Sequence, residues 1–130
     1  MGNRFSKIRI REEDVAYTYR RPEESGREVP KAYLIHMPEN SRFANCSFWH
    51  PSKCLYMGEL PGTFVMSFDS ENWAFELSSD KKDEYGQYNT VAILTPQQMQ
   101  EEWAVINADL YTKERQYKQL QKLQGNNTEN

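Results

Sequence analysis

Cysteine and histidine are scarce in this chain, two of each in 130 residues, and no apolar run exceeds four residues. The missing runs exclude a transmembrane helix, which needs about 20 consecutive apolar residues. The opening segment Met1-Gly2-Asn3-Arg4-Phe5-Ser6-Lys7 has no apolar core of the secretory kind, so a cytoplasmic protein without disulfides is expected. Gly2 and Ser6 fit the loose myristoylation pattern, which is too permissive to carry weight. Charge of one sign is also missing: 16 basic and 19 acidic residues leave a net −3. That balance excludes both a basic nucleic-acid coat and an acidic tail. No repeat or low-complexity tract is present.

Catalytic signatures are absent as well. The segment from Gly58 to Gly62 contains Pro61 and lacks the lysine of a phosphate-binding loop. Cys46 or Cys54 with His36 or His50 could form a nucleophilic dyad, but no family pattern surrounds either cysteine. The acid pairs Asp69 with Glu71 and Glu101 with Glu102 read as solvated surface. No enzyme and no cofactor is expected.

What the chain does have is 17 aromatic residues, enough to build a core in a polar sequence. Short alternating segments, separated by turn residues every 8–12 positions or so, fill the first two-thirds. They lie at Lys7–Arg11, Val15–Tyr19, Ala32–His36, Phe48–Trp49, Leu55–Met57, Phe64–Phe68, Trp73–Leu77 and Tyr88–Leu94. Thr95-Pro96-Gln97-Gln98 then gives a capping box with proline at the first helical position. Met99, Trp103, Ile106 and Leu110 form one apolar stripe behind it. Tyr117 and Leu120 continue the register past Lys113, so the distal half of the helix is expected to project or meet a partner. The expectation is an α+β fold: a bent antiparallel β-sheet or small barrel of about six strands with one long C-terminal α-helix. A single domain spans 1–124, with strands roughly within 5–94, the helix roughly at 96–123, and a flexible tail at 125–130.

Three binding chemistries compete. Phe48 and Trp49 sit in a proline-containing segment, and Tyr111, Tyr117 and Leu120 lie on the distal helix; aromatic groups of this kind anchor protein interfaces. Lys7, Arg9 and Arg11 share one face of the first strand, with Tyr17, Tyr19, Arg20 and Arg21 on the next. A basic track beside aromatics can hold single-stranded nucleic acid. Against it, the residues beyond Lys31 carry thirteen acids and eight bases. His36, Cys46, His50 and Cys54 could supply a zinc set, although their spacing matches no standard finger. The preferred expectation is a small non-enzymatic binding protein of the inhibitor or adaptor type, acting on a protein partner and not on a membrane. Small, catalytically empty chains of this sort are common among phage and mobile-element accessory and anti-defence proteins. The alternatives are a single-stranded nucleic-acid binder and a zinc-stabilised interaction domain.

Overall fold

Alternation along β1 (Phe5–Arg11) buries Ile8 and Ile10 and turns Lys7, Arg9 and Arg11 the other way. The computed structural model describes residues 4–22 and 28–128, with side chains at 4–16 and 31–124. A 3-10 turn at Glu12–Asp14 carries the chain out of this strand. It leads into β2 (Val15–Pro22), β3 (Glu28–His36) and β4 (Cys46–Pro51). A second 3-10 turn, Ser52–Cys54, returns it to β5 (Leu55–Met57) and β6 (Thr63–Asp69). β7 (Phe75–Ser79) and β8 (Thr90–Leu94) complete the strands.

Among the described residues eight strands form two antiparallel sheets, one ordered β1-β6-β5 and the other β2-β3-β4-β7-β8. Their inner faces share one core, in which Ile8, Met66 and Phe68 of the first sheet meet Ile35, Phe48, Phe75 and Leu77 of the second. The fold class is α+β as expected, but the described residues form two sheets in place of one bent sheet of about six strands, and no closed barrel among them. The two 3-10 turns explain the difference. One at Glu12–Asp14 and one at Ser52–Cys54 each redirect the chain, so the strands on either side enter different sheets.

The helix begins as its capping box dictates: the Gln98 N–H donates to Thr95 Oγ1 at 3.2 Å, and the Thr95 N–H donates to Gln98 Oε1 at 2.9 Å. Trp103 (φ −102°, ψ 5°) leaves helical geometry and divides α1 (Pro96–Glu102) from α2 (Ala104–Thr128). Backbone bonds from Trp103 to Met99 and from Asn107 to Trp103 span the division, so the axis bends without losing its ladder. Met99, Trp103 and Leu110 are buried, which accounts for the apolar stripe. α2 continues to Thr128, into the segment expected to be a tail. Among the described residues no helix is long and apolar enough to cross a membrane.

α2 lies along the outer edge of β1 and uses polar groups to hold it. Asn107 Oδ1 accepts the Arg9 backbone N–H at 2.8 Å. The Arg9 guanidinium donates to Glu114 at 3.0 and 2.9 Å and stacks over Tyr111 at 4.8 Å. One turn further on, Lys118 pairs with Glu59 of the β5–β6 turn at 2.6 Å. That carboxylate holds the Lys118 ammonium above its ordinary range. Beyond this pair Leu120 and Leu123 are exposed.

Candidate binding groove on the five-stranded sheet

The outer face of the larger sheet carries a groove of about 410 Å³, lined in part by Leu34, His36, Ser47, Trp49, Asp80 and Tyr88. Strand register explains most of it. Leu34 of β3 pairs with Trp49 of β4, and His36 pairs with Ser47, so all four side chains emerge on one face. Ser78 of β7 stands opposite Ser47 and extends the floor. Asp80 follows β7 directly and is anchored by its N–H to the Asn45 carbonyl. Trp49 is 50% exposed and Tyr88 56% exposed.

Tyr88 is supplied by the loop between β7 and β8, and Asp83 organises that loop. Its carboxylate accepts the N–H groups of Tyr85 and Gln87. These bonds, the Gln87 one foremost, hold the Asp83 carboxyl below the usual carboxylate range. Gly86 has φ +78° and donates its N–H to the Asp83 carbonyl, a left-handed position that glycine occupies without steric cost.

At the groove floor the Ser47 hydroxyl lies 2.5 Å from His36 Nδ1 and 2.5 Å from Asp80 Oδ1. Asp80 Oδ2 faces the same ring nitrogen at 3.5 Å. A nucleophilic relay needs the imidazole between hydroxyl and carboxylate, bonding each through a different nitrogen. Here the serine is in the middle. Its one proton satisfies the Asp80 carboxylate while its oxygen accepts from His36 Nδ1–H. The imidazole therefore does not stand between hydroxyl and carboxylate, and the three groups form a connected polar floor.

The structure redistributes the residues singled out from sequence. Phe48 is only 2% exposed and packs edge-on against Phe75 at 5.4 Å, so its assignment as a contact residue is corrected. Successive strand residues face opposite ways, and of Phe48 and Trp49 only the latter reaches the surface. On α2, Tyr111 is exposed between Arg9 and Arg115, Tyr117 is half-buried and Leu120 is exposed. None of these three lines the groove.

In the proposed nucleic-acid track, Lys7 is exposed. Arg9 is committed to Glu114, and Arg11 to buried Asp14 through bonds of 3.0 and 2.8 Å. The Asp14 hydrogen bond raises the Arg11 guanidinium above its ordinary value, so it stays charged. Both arginines are thus structural and not a free track. The side chains of Tyr17, Tyr19, Arg20 and Arg21 lie outside the described residues.

The zinc set does not converge. His36 faces the groove, whereas Cys46 and His50 belong to the inward face of β4, and Cys54 sits in a 3-10 turn. Among the described residues no group of three or more His, Cys, Asp or Glu is placed to hold a metal ion. Burial, reinforced by the charge of Asp80, pushes the Cys46 thiol up and makes it a poor nucleophile.

His50, which sequence reading could not distinguish from His36, is a core residue. It stacks on Phe75 at 5.9 Å, and its Nε2 donates to the Ser67 carbonyl at 2.8 Å. Burial lowers its pKa from 6.5, and the Ser67 and Cys54 carbonyls only partly offset this. The folded chain therefore refuses a proton that the unfolded chain accepts as pH falls below 6.5. The associated stability is fully present above that value and declines below it. Thermal melts between about pH 7 and pH 5 are expected to fall more steeply for the native chain than for His50→Gln, which cannot ionise. Parallel slopes would remove His50 as the cause.

The residues that sequence reasoning missed are Leu34, Ser47, Ser78, Ser79, Asp80 and Tyr88. Period-2 alternation could have placed Leu34 beside His36 and Ser47 beside Trp49. Asp80 and Tyr88 carry no local signal, because they reach the groove through the fold of a charged loop. Compared with protein families, curated proteins and solved structures, the chain matches none.

Proposed function

We propose that the protein is a non-enzymatic binding protein that engages a protein partner through the groove on its five-stranded sheet, in the manner of an inhibitor or adaptor. The observation that carries this reading is the pair Trp49 and Tyr88, each about half exposed above a hydrogen-bonded polar floor. Exposed aromatics around convergent polar groups are the usual composition of an interface anchor. Ser47, and not His36, stands between the other two groups, unlike a nucleophilic relay, which favours binding over catalysis. Arg9 and Arg11 are taken up by Glu114 and Asp14, which weighs against single-strand nucleic-acid binding. Two free thiols suit a cytoplasmic setting.

The test is capture of the partner from the native host by the immobilised chain, repeated with Trp49→Ala and with Leu120→Ala. Trp49→Ala is expected to weaken capture by roughly 30-fold or more, the scale of an interface hot spot. Leu120→Ala should change it little. The reverse pattern would transfer the function to the distal helix and end the groove reading.

A further inference from the structure

The groove has a definite electrostatic character. Among the described residues its lining includes one carboxylate, Asp80, and neither Lys nor Arg. Asp80 uses Oδ1 to accept the Ser47 hydroxyl, while Oδ2 lies 3.5 Å from His36 Nδ1, longer than a normal hydrogen bond. That second oxygen keeps acceptor capacity and is about one-third exposed with its side chain. Trp49 and Tyr88 line the same groove, and the π-faces of such rings attract cations and do not attract anions. Tyr88 already demonstrates the preference: the Lys82 ammonium lies 5.6 Å from its ring centroid.

We infer that the groove receives an arginine side chain of the protein partner. This rests on the reading of the groove as the contact surface and specifies what that surface recognises. A guanidinium is planar, so it stacks on an indole or phenol face while its edge donates N–H bonds to a carboxylate. The groove provides both halves of that arrangement in one place. Ser78, on the same floor, adds a hydroxyl that can accept a further N–H. An anionic ligand would meet the Asp80 carboxylate, with the His36 imidazole as the basic group beside it among the described lining residues. A purely apolar one would strand Asp80, His36 and Ser47 away from water.

The experiment titrates the full chain with acetyl-Gly-Arg-Gly-amide and with its citrulline counterpart, which keeps the shape and loses the charge. NMR follows the Trp49 indole N–H and the Tyr88 backbone amide. The arginine peptide is expected to shift both signals with a Kd on the order of millimolar, as suits one side chain alone. Citrulline should bind at least ten-fold more weakly. Asp80→Asn should weaken the arginine peptide at least ten-fold, and Tyr88→Leu should weaken it several-fold.

Equal binding of the two peptides, arginine binding unchanged in both variants, or shifts confined to the Glu59–Lys118 end would overturn the inference. A lysine peptide binding as tightly as arginine overturns the guanidinium assignment. Failure here can be told apart from failure of the contact surface. If partner capture is lost in Trp49→Ala yet persists in Asp80→Asn, the surface stands and the arginine does not.

Discussion

Arg9→Ala is expected to lower the free energy of unfolding by about 3 kcal/mol, a large effect for a residue that sequence reading placed on a solvent-facing basic track. The cause is its partner. Glu114 is 6% exposed and sits on α2, and its carboxylate is met by Arg9 Nε and Nη2 at 3.0 and 2.9 Å. Removing the guanidinium leaves a buried carboxylate without its hydrogen-bonded counter-charge, Lys118 acting on it only through space, and the penalty is the desolvation of that anion more than the loss of the bond. Tyr111 also loses the cation stacked on its ring. Arg9→Leu combined with Glu114→Leu should recover most of the stability, because an apolar pair carries no desolvation cost. Urea denaturation of Arg9→Leu, Glu114→Leu and their combination closes the cycle. A single-variant loss below about 0.5 kcal/mol, typical of surface ion pairs, would show that Glu114 reaches water. Charge reversal at Arg9 is consequently a poor probe of nucleic-acid binding, since it would act first on the fold.

Trp103→Ala should cost about 3–5 kcal/mol, the range for deleting a large buried aromatic. Trp103 is fully buried, belongs to the core shared by both sheets, and stands where α1 passes into α2. Its removal leaves a cavity under the bend and cuts the contact that ties the helix to the sheets. The melting temperature should fall by roughly 10–20 °C, read by calorimetry. Trp103→Phe should lose much less. Nε1 of Trp103 has no hydrogen-bond partner, so phenylalanine sacrifices volume but removes an unsatisfied buried donor. A shift of only a few degrees in Trp103→Ala would mean that the helix is docked by its polar contacts to β1 alone.

Local chemistry was readable in the sequence wherever it acts locally. Thr95 and Gln98 are three residues apart, and their capping box is present as the spacing requires. Alternation in Lys7–Arg11 and the stripe at Met99, Trp103 and Leu110 identified the buried faces correctly. Partnership was not readable. Arg9 and Glu114 are 105 residues apart, and nothing in either neighbourhood identifies the other. β1 pairs with β6 along Phe5↔Asp69 to Arg11↔Thr63, a choice made by core packing after two changes of sheet. The groove shows both conditions at once. His36 and Trp49 stood out as rare residues, but their common face depends on β3–β4 register and Asp80 arrives from a third strand's end. Phe48 was misplaced because composition marks a segment as aromatic, while only the phase of the strand decides which ring is inside.

The outer edge of β1 shows how side chains can stand in for a missing strand. Arg9 N–H is received by Asn107 at 2.8 Å and Arg11 N–H by Asp14 at 2.9 Å. These are the outward-pointing donors that another chain's carbonyls would seek on an uncovered edge. Two carbonyl-like oxygens, one from α2 and one from the following turn, occupy those positions first. The helix is thereby a guard against self-association as well as a piece of the core. A chain shortened before Asn107 would offer β1 as a template to its neighbours, and its loss from solution would measure aggregation, not weakened folding alone.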